Sequence, residues 1–175
     1  MNIEINYKWD KDAFVKASMA NMKYRFGGVK SIVVSVIIFV FFVATLYFVS
    51  KKGIEQFDYF FIFIAIYWFI LRWPFYIWMF RRQFNQHTEK DADVSWVITE
   101  GGIKGVGSNS SGEFNWTSIT DAIKSKHGYL IYRYPMFHWF PYSAFKSDGD
   151  KQIFQQLISK NVKNQKITSH SARTS

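Results

Sequence analysis

"SIVVSVIIFVFFVATLYFVS", Ser31 to Ser50, is twenty residues without a charge. At about 1.5 Å of rise per residue it makes roughly 30 Å of helix, the thickness of a bilayer's hydrocarbon core. A helix in a soluble core carries one apolar stripe, whereas this segment is apolar on every face. It reads as a transmembrane helix. The run begins only after thirty residues, is longer than a signal core and ends in "YFVSKK" without a small-x-small cleavage site. It is therefore expected to stay in the mature protein.

Outward from this span, "KKGIEQFD" (Lys51 to Asp58) is a short polar connection. A second run, "YFFIFIAIYWFILRWPFYIWMF" (Tyr59 to Phe80), is long enough to recross the membrane. The two form an expected helical hairpin over 29–82, with spans at 31–50 and 57–80. Lys23, Arg25 and Lys30 precede the first span, and Arg81 and Arg82 follow the second. By the positive-inside rule both termini are expected in the cytoplasm, in the cytoplasmic (inner) membrane.

Arg72 and Pro74 interrupt the second span. Proline supplies a bend, and Trp73, Tyr76 and Trp78 suit an interfacial aromatic belt. An arginine at the centre of a span costs on the order of 2.5 to 3.5 kcal/mol, less if it snorkels. Counting inward from Phe57 and Ser50 places Arg72 level with Ser35, with Ser31 one turn away on the same face. Arg72 is expected to turn toward this Ser31/Ser35 face, where it can bond a hydroxyl or carbonyl, or to mark the inner boundary of the span.

Composition fits a segregated chain. The hydrophobic share is 49% and the mean hydropathy −0.09, averages that conceal the greasy middle. The lack of cysteine excludes disulfides, thiolate metal sites and thiol catalysis. The formal charge of +9, from 22 basic and 13 acidic residues, suits an anionic membrane surface or nucleic acid. The aromatics are concentrated in the spans and the expected sheet core, so no nucleic-acid partner is expected. The basic residues Lys23, Arg25, Lys30, Arg81 and Arg82 explain the topology. They also suit contact with anionic headgroups, at roughly 1 kcal/mol each.

The remaining segments read as one small domain. "NIEINYKWDKDAF" alternates Ile3, Ile5, Tyr7 and Trp9 as a half-buried strand, and Asp10 can cap a helix from Lys11 to Phe26, before Gly27-Gly28. An isolated strand needs a sheet, so 1–28 is expected to join the region 92–160. There "DVSWVIT", "GIKGVG", "EFNWTSI", "AIKSKHGYLIYRY" and "HWFPYSAF" read as strands, and Ser147 can cap a last helix "DGDKQIFQQLISKN". The expected fold is α+β: a transmembrane hairpin plus a small antiparallel barrel or sheet closed by the C-terminal helix. The basic tail 161–175 is expected to be disordered.

The order "VITEGGI", "EFNWTSI", "YLIYRY", "HWFPYSAF", behind two spans and the opening "EINYKWDKDAF", resembles the YcxB-like family of bacterial membrane proteins. The resemblance implies a cytoplasmic domain similar to pleckstrin-homology-like (PH-like) folds, with Trp116, Pro141 and Phe145 as its structural signature and no catalytic residues. Tyr142 stands where a basic residue commonly follows the proline. That departure speaks against headgroup binding at this position.

Other motifs carry little chemistry. Gly101, Gly102, Gly105 and Gly107 lack the spacing and the following helix of a phosphate loop and read as turn glycines. His87, His127, His138 and His170 are dispersed, and Asp93, Glu113 and Asp121 are isolated, so neither a metal, a cofactor nor an enzyme is expected. The triplets Asn109-Ser110-Ser111 and Asn115-Trp116-Thr117 match the glycosylation pattern but would lie on the cytoplasmic side. Two roles fit. One is a membrane-anchored module binding a peptide, a protein or lipid headgroups. The other is an immunity protein that shields the membrane from a toxin.

Overall fold

The computed structural model describes residues 2–86, 88, 90–107 and 111–167. The chain divides into two compact units, Met1–Asn21 with Arg81–Ser175, and Met22–Phe80. The first unit is thus assembled from segments on both sides of the second.

In the first unit, β1 (Ile3–Trp9) buries Ile3 and Ile5 on one face and exposes Glu4 and Asn6 on the other. That alternation is the period of two that a pleated strand imposes. β1 pairs antiparallel with β2 (Ala92–Ile98), Ile5 opposite Trp96. β3 (Gly102–Gly107) and β4 (Ser111–Asn115) complete a sheet in the order β1-β2-β3-β4. A second sheet has the order β7-β6-β5-β8, from β5 (Asp121–Lys124), β6 (Gly128–Arg133), β7 (Met136–Pro141) and β8 (Asn164–Ile167).

The domain is therefore two four-stranded sheets and not a closed barrel. Nor is it wholly antiparallel, because β8 runs parallel to β5. Part of 161–175, expected as a disordered tail, supplies that strand. Gln165 anchors it, its amide donating to the carbonyls of Val162 at 2.9 Å and Ile158 at 3.3 Å.

Between the sheets lies one core that includes Ile5, Trp96, Ile103, Phe114, Ile131 and Phe140. Two glycines of the predicted series exist for packing. A Cβ on Gly105 would enter the Trp96 ring, and one on Gly102 would meet the Phe114 carbonyl at 2.6 Å. The C-terminal helix α5 (Asp148–Asn161) starts at Ser147, whose Oγ accepts from the Asp150 amide at 3.1 Å, and it presents Phe154, Leu157 and Ile158 to this core. Helix α1 (Lys11–Phe26) is capped by Asp10, which accepts from the Ala13 amide at 2.7 Å. Both caps satisfy amides that a helix start leaves without partners.

The second unit holds α2 (Val29–Lys52), which ends at Gly53 with φ 83°, and α3 (Gln56–Ile66). A capping box of Glu55 and Asp58 opens α3. A π-helical turn, Tyr67–Leu71, joins α3 to α4 (Arg72–Asn85). The amide of Arg72 reaches back five residues to the Tyr67 carbonyl. Such a turn adjoins Pro74, whose ring has no N–H and crowds the carbonyl four residues before it. Helices Val29–Lys52 and Gln56–Asn85 are long and apolar enough to cross a membrane. Their large apolar side chains are exposed almost throughout, and Thr45 and Ala65 are the buried residues reported for α2 and α3.

Candidate functional site

The polar groups of the hairpin gather around Trp68. Phe41 stacks on Phe61 with ring centroids 6.1 Å apart, which fixes the antiparallel register of α2 and α3. One further step inward, the Trp68 indole N–H donates to the Ser35 hydroxyl at 3.0 Å. Ser35 in turn donates to the Ser31 carbonyl at 2.8 Å. In a bilayer core, with no water to bond, such chains are how polar groups of an apolar helix find partners.

Arg72 lies one turn beyond Trp68, as Ser31 lies one turn before Ser35. The register thus sets Arg72 level with Ser31 and not with Ser35. Its guanidinium lies over the Trp68 ring at 4.3 Å and near the Trp73 ring at 5.0 Å. Its Nε is buried and has no hydrogen-bond partner among the described residues. Lys23 stands over Trp73 at 5.5 Å, so two cations share one indole. Cation–π contacts strengthen when desolvated, to about 2 kcal/mol or more. On the Ser31/Ser35 face toward which Arg72 is expected to turn, the Ser35 hydroxyl accepts from Trp68. Trp68 was not singled out in the sequence, although an indole N–H in an apolar helix demands an acceptor.

Of the other basic residues, Arg25 closes α1 and is exposed, Lys30 is exposed in the first turn of α2, and Arg81 and Arg82 are exposed on α4. Glycines 101, 102, 105 and 107 surround no helix start: Gly101 and Gly102 make the β2–β3 turn, where the Thr99 amide donates to the Gly102 carbonyl at 2.9 Å.

The signature residues are structural. Trp116, in a 3-10 turn (Trp116–Ser118), donates to the Thr99 carbonyl at 2.9 Å and lies in the core. Pro141 ends β7 opposite Gly128, and Phe145 packs on Phe154 at 5.5 Å. Tyr142 donates its hydroxyl to the Ser125 carbonyl at 2.9 Å. Burial raises its pKa well above the usual tyrosine range, with the Tyr129 hydroxyl adding to the effect.

Residues 98–158, the stretch that holds these three signature positions, match the family described as YcxB-like protein. This part of the chain is similar to that family. The matched segment begins at the end of β2 and stops within α5, so β1, α1, most of β2 and β8 lie outside it. No curated protein and no solved structure matches the chain.

His138, also inside the matched segment, is strongly altered by its surroundings. Its ring stacks on Phe114 at 4.9 Å and meets the edge of Trp96 at 5.1 Å. Burial, assisted by the positive charge of Arg133, pushes its pKa down to about 4. The buried Nε2 of His138 and Nε1 of Trp96 have no hydrogen-bond partner among the described residues. His127 is exposed in the β5–β6 turn, while His87 and His170 lie outside the described residues, as do Asn109 and Ser110 of the first triplet. Among the described residues no three of His, Asp and Glu gather as a metal site. Asn115 is exposed at the end of β4, but Trp116 of the second triplet is buried.

Proposed function

We propose that the chain is an integral membrane protein that presents a PH-like, non-catalytic interaction module at the inner face of the cytoplasmic membrane. One observation carries the reading. β1 and β2 form one ladder, yet the whole hairpin lies between them in sequence. Whatever α2 and α3–α4 cross, the two ends that lead into this ladder must emerge on the same side. Two crossings satisfy that requirement, and a single crossing does not.

The charges support the cytoplasm as that side, because Lys23, Arg25 and Lys30 enter the hairpin and Arg81 and Arg82 leave it, while Lys51 and Lys52 are offset by Glu55 and Asp58. The PH-like reading draws on two facing sheets, antiparallel but for β8, with a C-terminal helix packed on their shared core. It is an analogy of architecture, so the ligand must be argued from chemistry. The basic residues that flank the spans in sequence suit anionic headgroups. His138, Tyr7 and Tyr142 carry the largest titration shifts, and all three serve packing or backbone bonds, which favours binding over catalysis.

Because the chain has no cysteine, single introduced thiols report topology directly. An Ile54→Cys variant should react with a membrane-impermeant maleimide in intact cells, and Gln156→Cys only after permeabilisation. Reaction of Gln156→Cys in intact cells would overturn the orientation. Resistance of the protein to carbonate extraction tests the spans themselves, and protection of cells from a membrane-attacking toxin on expression would favour the immunity role instead.

A further inference from the structure

The hairpin unit, Met22–Phe80, contains two acidic residues, Glu55 and Asp58, and both form the capping box that opens α3. Arg72 follows Asp58 by fourteen residues, roughly 21 Å of helical rise, so neither carboxylate reaches it. Within the same unit Lys23 brings a second positive charge to the ring that Arg72 already faces. Both cations lie within 5.5 Å of the Trp73 ring centre. Among the described residues neither has an ion pair. Two like charges held this close, in surroundings that screen poorly, favour an anion between them. Lys23 is exposed and Arg72 only half-buried, so an anion from outside the unit has access to both.

Along the same hairpin runs a groove of about 270 Å3, lined by Ser31, Ile32, Ser35, Val36 and Phe39 of α2 and by Phe69 opposite. Ser31, Ser35 and Phe39 are spaced by four residues, one helix face about 12 Å long. Two features place the cations at its Ser31 end. Arg72 is level with Ser31, and Trp73 stands four residues, about one turn, beyond Phe69. α2 starts at that end with no acidic residue in its first turn and no side-chain cap, so its free amides add to the positive potential. An apolar slot that ends at two positive charges is complementary to a molecule with a hydrocarbon chain and an anionic head.

We infer that Lys23 and Arg72 together hold the phosphate of one anionic phospholipid whose acyl chain lies in the Ser31–Phe39 groove. The inference rests on the membrane reading above. A guanidinium offers phosphate a planar fork of donors, and an ammonium adds a point charge. Indole rings such as Trp73 settle at headgroup level, which is where the phosphate of a lipid lies. A soluble phosphate would leave the groove unused, whereas a lipid reaches both features from within the bilayer. The hairpin is thereby made responsive to the anionic lipid content of its membrane.

The test uses the full chain purified in detergent and given dioleoyl phosphatidylglycerol or dioleoyl phosphatidylcholine, with retained lipid counted by native mass spectrometry. The parent protein should retain one phosphatidylglycerol in preference to phosphatidylcholine. Lys23→Gln and Arg72→Gln should each weaken that retention about fivefold, and Lys52→Gln, at the other end of α2, should leave it unchanged. Lys23 is exposed, so its variant tests the site even if Arg72→Gln does not fold. Equal retention by the parent and Lys23→Gln overturns the site. Displacement by excess glycerol phosphate overturns the lipid in favour of a soluble anion, and lipid-free dimers overturn it in favour of a second copy. The spans stand in each case if the chain resists carbonate extraction; its release by carbonate removes the membrane reading itself.

Discussion

Ile5 and Trp96 sit opposite each other in one antiparallel ladder although two membrane-length helices separate them in sequence. Ile5 is fully buried, so the opening residues of the chain are part of the core and not an appendage. An Ile5→Ala variant should lose about 2 to 5 kcal/mol of stability, the range for a buried isoleucine truncated to alanine. Chemical denaturation of the detergent-solubilised protein measures it. A fragment of residues 92–167 should fail to fold alone, and fusing residues 2–10 ahead of it should restore a cooperative transition. A fragment that melts cooperatively without β1 would contradict the assignment.

Arg72 over Trp68 is expected to couple by about 0.5 to 2 kcal/mol in a double-mutant cycle of Arg72→Leu and Trp68→Phe. The Trp68–Ser35 bond should contribute about 0.6 kcal/mol, the average for such bonds between membrane helices. Thermal melts of the parent protein, both single variants and the double variant give the first value, and a cycle of Trp68→Phe with Ser35→Ala gives the second. Additive effects within error would show that the contacts are incidental.

His138 makes the domain sensitive to acid. Its folded pKa of about 4 lies below the ordinary 6.5, so below pH 6.5 the unfolded chain binds a proton that the folded chain refuses. Stability should be indifferent to this group above pH 6.5 and fall as the pH drops toward 4, by at most about 3 kcal/mol over the interval. His138→Phe keeps a ring on Phe114 and should flatten that slope. An unchanged profile between pH 6.5 and 4 in this variant would assign the acid response to other groups.

Gly105→Ala drives a methyl group into the Trp96 ring. Overpacking of this kind costs about 1 to 3 kcal/mol. The smaller, ringless side chain in Gly105→Ala with Trp96→Leu should recover part of that loss, which a melt of the double variant against both singles would reveal.

Local signals carried the helices. Asp10 and Ser147 each bond the amide that their position predicts, because a cap depends on only a few neighbouring residues. Long-range pairing was less legible. Asn164–Ile167 looks polar and solvated in isolation, and its strand exists only because β5 offers it an edge. Counting inward from the hairpin ends misaligned Arg72 by one turn, since α2 runs on through Lys52 and the ends of the two helices are not level. The π turn adds a further residue that no 3.6-residue count anticipates. Trp68 escaped notice because aromatic residues crowd its segment, and only the position of Ser35 across the hairpin distinguishes it.

The split ladder also imposes a timetable on biosynthesis. β1 leaves the ribosome first, but its pairing surface arrives only after the entire hairpin has been made, an interval on the order of ten seconds at cellular elongation rates. During that wait Ile3 and Ile5 have no sheet to join, and the strand is an adhesive edge exposed to any chaperone or neighbouring nascent chain. On the membrane reading proposed above, correct delivery of the greasy segment into lipid is thus a precondition for closing the domain, so a stalled insertion would leave an unfolded head as well as a misplaced anchor.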